Sequence, residues 1–330
     1  MTRTDRSQKP KLFRSRYSFT ALLLIYGLTG YSQSVPAPPS APNSAAQSTI
    51  VVHTELVVLP VRVTDGSGTV VSGLTREQFR VYEDNRLQRI TSFEEEDVPV
   101  TVGLVVDHSR SMGLKLAEVS AAVWAFAKSG NPQDEMFVVN FNDSVWLQLA
   151  GGKPFTSDAG EIEKGVGAVS TGGQTALYDG IVEGLHHLQL GRWSKKALLI
   201  VSDGGDNASR HTYSDVLALA RRSQAVIYSI GLVSELTAEA NPGLLRRLCK
   251  DTGGIAFFPE AGDSVVDIST QIARDLREQY TIGFVPEKKN TGESFRKIQV
   301  KVSVPGRGGI RVRTRSGYLA AADRRSPAQP

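Results

Sequence analysis

Five oxygen-bearing side chains carry the most specific chemistry in this sequence. Asp107, Ser109 and Ser111 stand two residues apart, Thr175 follows a Gly-rich loop, and Asp203 ends an apolar run. One carboxylate with two neutral hydroxyls is a hard-oxygen donor set, suited to Mg²⁺ or Mn²⁺ and poorly suited to zinc or copper. A ligand set spread over a hundred residues needs a scaffold that delivers three distant loops to one place.

The elements around these residues supply one. Val100–Val106 is apolar and β-branched, as expected of a strand buried on both faces of a parallel sheet. It runs into the Asp107 loop, and an apolar-periodic helix follows over Leu116–Lys128. Ala197–Val201 is a second such strand and ends at Ser202-Asp203. Thr171-Gly172-Gly173-Gln174 delivers Thr175 to the start of a helix over 176–190. If the two strands are parallel neighbours, the three loops converge at one sheet edge, where open α/β sheets hold their ligands. The competing reading is that Ser109 and Ser111 cap the next helix and Asp203 satisfies a turn.

From residue 100 strands and helices alternate, which predicts a doubly wound, mostly parallel sheet. The strands are 135–141, 145–149, 196–202, 225–232 and 255–258; the further helices are 162–169, 213–223, 242–250 and 264–278. Before this region, 49–97 reads as β, with Pro60 marking an edge or bulged strand and Asp84-Asn85 the turn of a hairpin. After it, 279–321 reads as β again. The two β segments are expected to pair into one sandwich with the α/β domain, 98–278, inserted between them. Arg311, Arg313 and Arg315 alternate as on a solvated, charge-protected edge, and Glu94–Asp97 reads as solvated linker.

The chain has 330 residues and a formal net charge of +4. Its first 18 residues hold six basic side chains and one acid, +5 in all, so the remainder carries −1. That balance gives no reason to invoke nucleic acid. The basic start, the apolar stretch Phe19–Tyr31 and small residues up to Ser32 predict a signal peptide over 1–32. Stable membrane insertion is not expected unless that leader is uncleaved. Residues 33–48 form a Pro/Ser/Ala-rich linker, and 322–330 a frayed tail. The protein is therefore expected in the periplasm, in the cell envelope or secreted. Cys249 is the single cysteine, and its helical surroundings predict a core residue.

Other constellations are weaker. His186-His187 lacks a His-Glu-x-x-His context, Asp203-x-x-Asp206 lacks EF-hand spacing, and His108 beside Asp107 has no Gly-x-Ser-x-Gly elbow for a hydrolase. Asp179 and Asp206 rank as possible outer-shell residues.

Taken in order, the Asp107-x-Ser109-x-Ser111, Thr175 and Asp203 set resembles the metal-ion-dependent adhesion site of von Willebrand factor type A domains, over roughly residues 98–278. Gln174 departs from the Gly-Gly-Thr of many members. The resemblance implies a Rossmann-like fold, direct metal ligation by Ser109 and Ser111, ligation by Thr175 directly or through water, and Asp107 and Asp203 acting partly through water. Gly73-Leu74-Thr75 through Phe79–Asp84, and Arg311–Arg313 to Gly317-Tyr318, are similar to exported type A-related proteins common in acidobacteria. The expected function is then non-enzymatic: an exported protein-binding module whose Mg²⁺ or Mn²⁺ grips a carboxylate of a protein partner. The alternative is a structural envelope module in which the metal only stabilises loops.

Overall fold

The computed structural model describes residues 56–95, 97–233, 240–287 and 294–320. The expected leader, linker and tail, the first residues of the N-terminal β segment and Glu96 lie outside the described residues. The chain begins with β1 (Val57–Thr64), β2 (Phe79–Glu83), β3 (Arg86–Gln88) and β4 (Ile90–Glu94). Next come β5 (Thr101–Asp107), a 3-10 turn (Arg110–Lys115), α1 (Leu116–Lys128), β6 (Glu135–Phe141) and β7 (Val145–Leu147). Then follow α2 (Ala159–Gly167), α3 (Leu177–Leu188), β8 (Lys196–Ser202), α4 (Tyr213–Ser223) and β9 (Val226–Gly231). The last elements are α5 (Pro242–Thr252), β10 (Ala256–Phe257), α6 (Val265–Arg277), β11 (Tyr280–Phe284), β12 (Ser294–Val302), β13 (Arg311–Arg313) and β14 (Gly317–Ala320).

All seven residues of β5 are buried, because a central parallel strand is covered on both faces. Val102, Leu104 and Val106 face the core closed by α1, α2 and α6. Val105 faces the second core, closed by α3, α4 and α5. The sheet order is β10-β9-β8-β5-β6-β7, parallel except for β7. From β5 the chain first builds outward to β6 and β7, then returns to build β8, β9 and β10 on the other side. The reversal falls between β5 and β8, which opens a crevice at their carboxyl ends.

Two antiparallel four-stranded sheets, β13-β1-β11-β4 and β14-β12-β2-β3, share one apolar core. Each combines strands from before and after the α/β region. β1 pairs with β11 from Val57↔Phe284 to Val61↔Tyr280, and β2 pairs with β12 from Phe79↔Val302 to Glu83↔Ile298. Pro60 costs nothing in the ladder, because at that point β1 has only β11 beside it and β13 joins further on, at Arg62–Thr64. The hairpin expected after Asp84-Asn85 is shorter than its sequence suggests. β3 stays with β2, and past Arg89 the chain crosses to the other sheet as β4, where Phe93 packs against Phe79 and Tyr280. The short strand β14 had no apolar run long enough to announce it.

Arg311, Glu94, Glu95 and Asp97 are exposed as expected, but Arg313 and Arg315, expected on a solvated edge, instead tie the sandwich to the α/β part. Arg313 Nη2 lies 2.5 Å from Asp275 Oδ2, and Arg62 Nε lies 2.7 Å from Asp275 Oδ1. The Tyr228 hydroxyl donates to the same carboxylate at 2.7 Å. Arg315 is 1% exposed and donates to the Arg221 carbonyl at the end of α4. Ser316 bonds both the carbonyl and the carboxylate of Asp251. Glu95 accepts the Tyr280 hydroxyl, and Asp97 pairs with Arg277 at 2.8 Å. These partners lie far away in sequence, so local alternation could not reveal them.

Candidate metal centre

Asp107 is the last residue of β5, and Asp203 follows the neighbouring strand β8, so the two carboxylates flank the crevice. Asp107 is fully buried. Its Oδ1 accepts the Ser109 amide at 2.8 Å and its Oδ2 accepts the Ser202 hydroxyl at 2.6 Å. Burial pushes its carboxyl up to about 6 against those hydrogen bonds, and the Asp203 charge pushes the same way. Ser109 Oγ and Ser111 Oγ lie 3.1 Å apart. Asp203 is 1% exposed, and its Oδ1 accepts the Gly205 amide at 3.0 Å. Its Oδ2 is buried with no hydrogen-bond partner. A buried carboxylate oxygen left unpaired is expensive unless a cation or ordered water meets it.

The loops are cross-tied. The Gly172 amide donates to the His108 carbonyl at 2.8 Å, which fixes the Gly-rich loop to the Asp107 loop. The Thr175 amide donates to Asn207 Oδ1 at 2.8 Å, and the Thr175 carbonyl accepts the amides of Asn207 and Ala208. Gly173 takes φ +75°, and a side chain there would collide with Asp143, 2.9 Å from its Oδ1. The loops bearing Asp107, Ser109, Ser111, Thr175 and Asp203 therefore meet at one end of the sheet.

Asp179 and Asp206 have other work. Asp179 accepts the amides of Arg210 and His211, and His211 Nδ1 lies 2.7 Å from its Oδ1. Partial burial raises its carboxyl, but these hydrogen bonds outweigh that and leave it below its ordinary value. Asp206 accepts the Tyr178 amide and the Ser209 hydroxyl. Both thus staple the 206–211 loop to the start of α3. Sequence reasoning missed Ser202 and Asn207, which hold Asp107 and Thr175. Their signal was position alone, since each lies within four residues of Asp203.

His108 is fully buried, and its Nε2 meets Asn140 Oδ1 on β6 at 3.0 Å, away from the serines, so no Ser-His pair forms. Burial lowers its pKa. Cys249 is buried against Ser229, and burial pushes its thiol up to about 12. Among the described residues no group of three His, Cys, Asp or Glu side chains is placed to hold a metal. Any ion here would depend on the hydroxyls.

The fold is similar to several solved structures at low identity. One is a von Willebrand factor type A protein from Catenulispora acidiphila, at 12% identity and TM-score 0.47, covering 82% of this chain and 75% of that one. Another is BatB from Bacteroides thetaiotaomicron, at 17% identity and TM-score 0.43, covering 54% and 98%. A third is proximal thread matrix protein 1 from the mussel byssus with a zinc-occupied MIDAS motif, at 17% identity and TM-score 0.47, covering 60% and 50%. No curated protein matches the sequence. The family model of the von Willebrand factor type A domain matches residues 101–271, from the first residue of β5 into α6, and on that match over more than half its length the chain belongs to this family.

Proposed function

We propose that this is an exported binding protein in which Asp107, Ser109, Ser111, Thr175 and Asp203 hold one Mg²⁺ or Mn²⁺ ion that grips a carboxylate of a protein partner. The observation that carries the reading is the unpaired, buried Asp203 Oδ2 beside an all-oxygen donor set. A hard divalent cation suits those donors, and bound there it would supply a Lewis-acidic position for an incoming oxygen. The protein's part is to orient the donors. Both Asp107 oxygens already accept hydrogen bonds, so Asp107 fixes the serine loop and contributes charge from behind. The serine and threonine hydroxyls are neutral and leave the ion electrophilic. A partner carboxylate then completes the shell better than a neutral group would.

Export rests on the basic and apolar leader, and no helix among the described residues is long and apolar enough to cross a membrane. The test is calorimetric titration of the protein with Mg²⁺ and Mn²⁺, repeated with Asp203→Ala, followed by capture of envelope proteins with and without chelator. A heat that Asp203→Ala abolishes, and capture that chelator reverses, are expected. Equal heats in both proteins would sink the site. Metal-dependent melting without metal-dependent capture would favour the structural module instead.

A further inference from the structure

Leu114 is fully exposed. It stands on the 3-10 turn that also carries Ser111. That turn is fixed at both ends. Met112 is fully buried beneath it, and its amide donates to the Ser109 carbonyl. Lys115 Nζ donates to the carbonyl of Leu232, just past β9. Val233, the next residue, is 40% exposed, so two uncovered aliphatic side chains flank one anchored contact. Arg110 opens the same turn; it is exposed, and no hydrogen bond or ion pair engages its guanidinium among the described residues.

On the other flank the charge changes sign. Asp143 follows β6, is exposed, and lies against Gly173. The order β9-β8-β5-β6 puts the Lys115–Leu232 contact and Asp143 on opposite sides of the strand that ends in Asp107. A ligand that crosses the candidate centre from the Leu232 flank to the Asp143 flank passes from the aliphatic Val233, over the turn that carries Arg110 and Leu114, to an acid.

We propose that Arg110, Leu114 and Val233 form a second contact for the partner, an inference that rests on the metal-dependent binding proposed above. The segment that supplies the carboxylate carries an aliphatic side chain against Leu114 and Val233 and a second acid against Arg110. Asp143 repels that second acid, so the segment lies in one direction only.

The test uses the full chain with saturating Mg²⁺ and three blocked tetrapeptides, titrated by NMR. One has a single aspartate among glycines, one has leucine before the aspartate, and one adds a glutamate to that pair. Leucine is expected to tighten binding about tenfold, and glutamate about threefold more, the range of an exposed ion pair. Leu114→Ser should remove the leucine gain, Arg110→Gln the glutamate gain, and Asp143→Asn should tighten the glutamate peptide. A Mg²⁺ titration of each protein separates loss of the ion from loss of the contact. Equal affinity for all three peptides with the Mg²⁺ heat intact would overturn this inference and leave the metal reading standing. Absence of that heat in the parent would remove both, and peptide binding that survives chelator would overturn the contact as drawn.

Discussion

The two ends of the α/β sheet bury acids in opposite ways. At the carboxyl end Asp107 and Asp203 are 0% and 1% exposed, and among the described residues no Lys, Arg or His pairs with either. At the end where the sandwich docks, Asp275 is 4% exposed and is met by Arg62, Arg313 and Tyr228. Asp134 there is 3% exposed and pairs with Arg277 at 2.5 Å. The difference teaches how to separate a scaffold acid from a working one. A carboxylate neutralised by guanidinium groups is finished by the fold. One held only by hydroxyls and amides has no positive partner within the described fold.

The strongest way to break this contrast is Asp275→Ala. It takes the shared carboxylate from Arg313 and leaves Arg62 only Glu278 as an ion-pair partner, and should destabilise the protein by about 3 kcal/mol, read by denaturant unfolding. A loss below about 1 kcal/mol would show that the clamp is ornamental. Lys195 is the exception at that end, being 4% exposed with an unpaired Nζ. Burial lowers its pKa to about 8, below the ordinary lysine value. Between about 8 and the ordinary value of ~10.4 the unfolded chain binds the extra proton, so stability should rise with pH across that window. Lys195→Met should be more stable at neutral pH by about 3 kcal/mol and should lose that pH dependence.

At the other end the expected effect is ligand-linked. Mg²⁺ at a hundredfold excess over its Kd should stabilise the parent by about 2.7 kcal/mol and leave Asp203→Ala unmoved. Identical melting shifts in the two proteins would erase the contrast. Gly253 lies on the junction at φ +89°, and a side chain there would sit 2.7 Å from the Arg315 amide nitrogen. Gly253→Ala should therefore cost about 2 kcal/mol with no change in Mg²⁺ affinity. Smallest is Asp179→Asn, which loosens the loop stapled by His211. It should cost about 1 kcal/mol above the carboxylate range and nothing below it, because a carboxyl held low loses its contribution once protonated.

Much of the α/β region was legible, and for a physical reason. Strands buried on both faces, such as Val102–Val106 and Ala197–Val201, must be apolar throughout, and Asp107 and Asp203 interrupt those runs where the strands stop. The serine pair was legible because its spacing is local. The sandwich was harder to read. Arg313 and Arg315 alternate like an exposed edge, yet their partners, Asp275 and Arg221, lie on α6 and α4. Glu95 and Asp97 are exposed as a linker would be, and only their bonds to Tyr280 and Arg277 lay beyond local reading. Ser202 and Asn207 showed no pattern at all, since a single hydroxyl or amide becomes significant only when the group it holds is in view.

The pairing of β4 with β11, which sets Phe93 beside Ile282 and Glu94 beside Thr281, has a consequence for how the molecule is made. The first four strands leave the ribosome long before the strands that complete their sheets. Until residue 280 emerges they carry open edges and an uncovered apolar face, in a topology of high contact order. The intervening α/β region can assemble first from its own local βα units. Assembled in that order, the α/β region would draw the two severed halves of the sandwich together, as a zip fastener is closed from its slider, before their last strands pair.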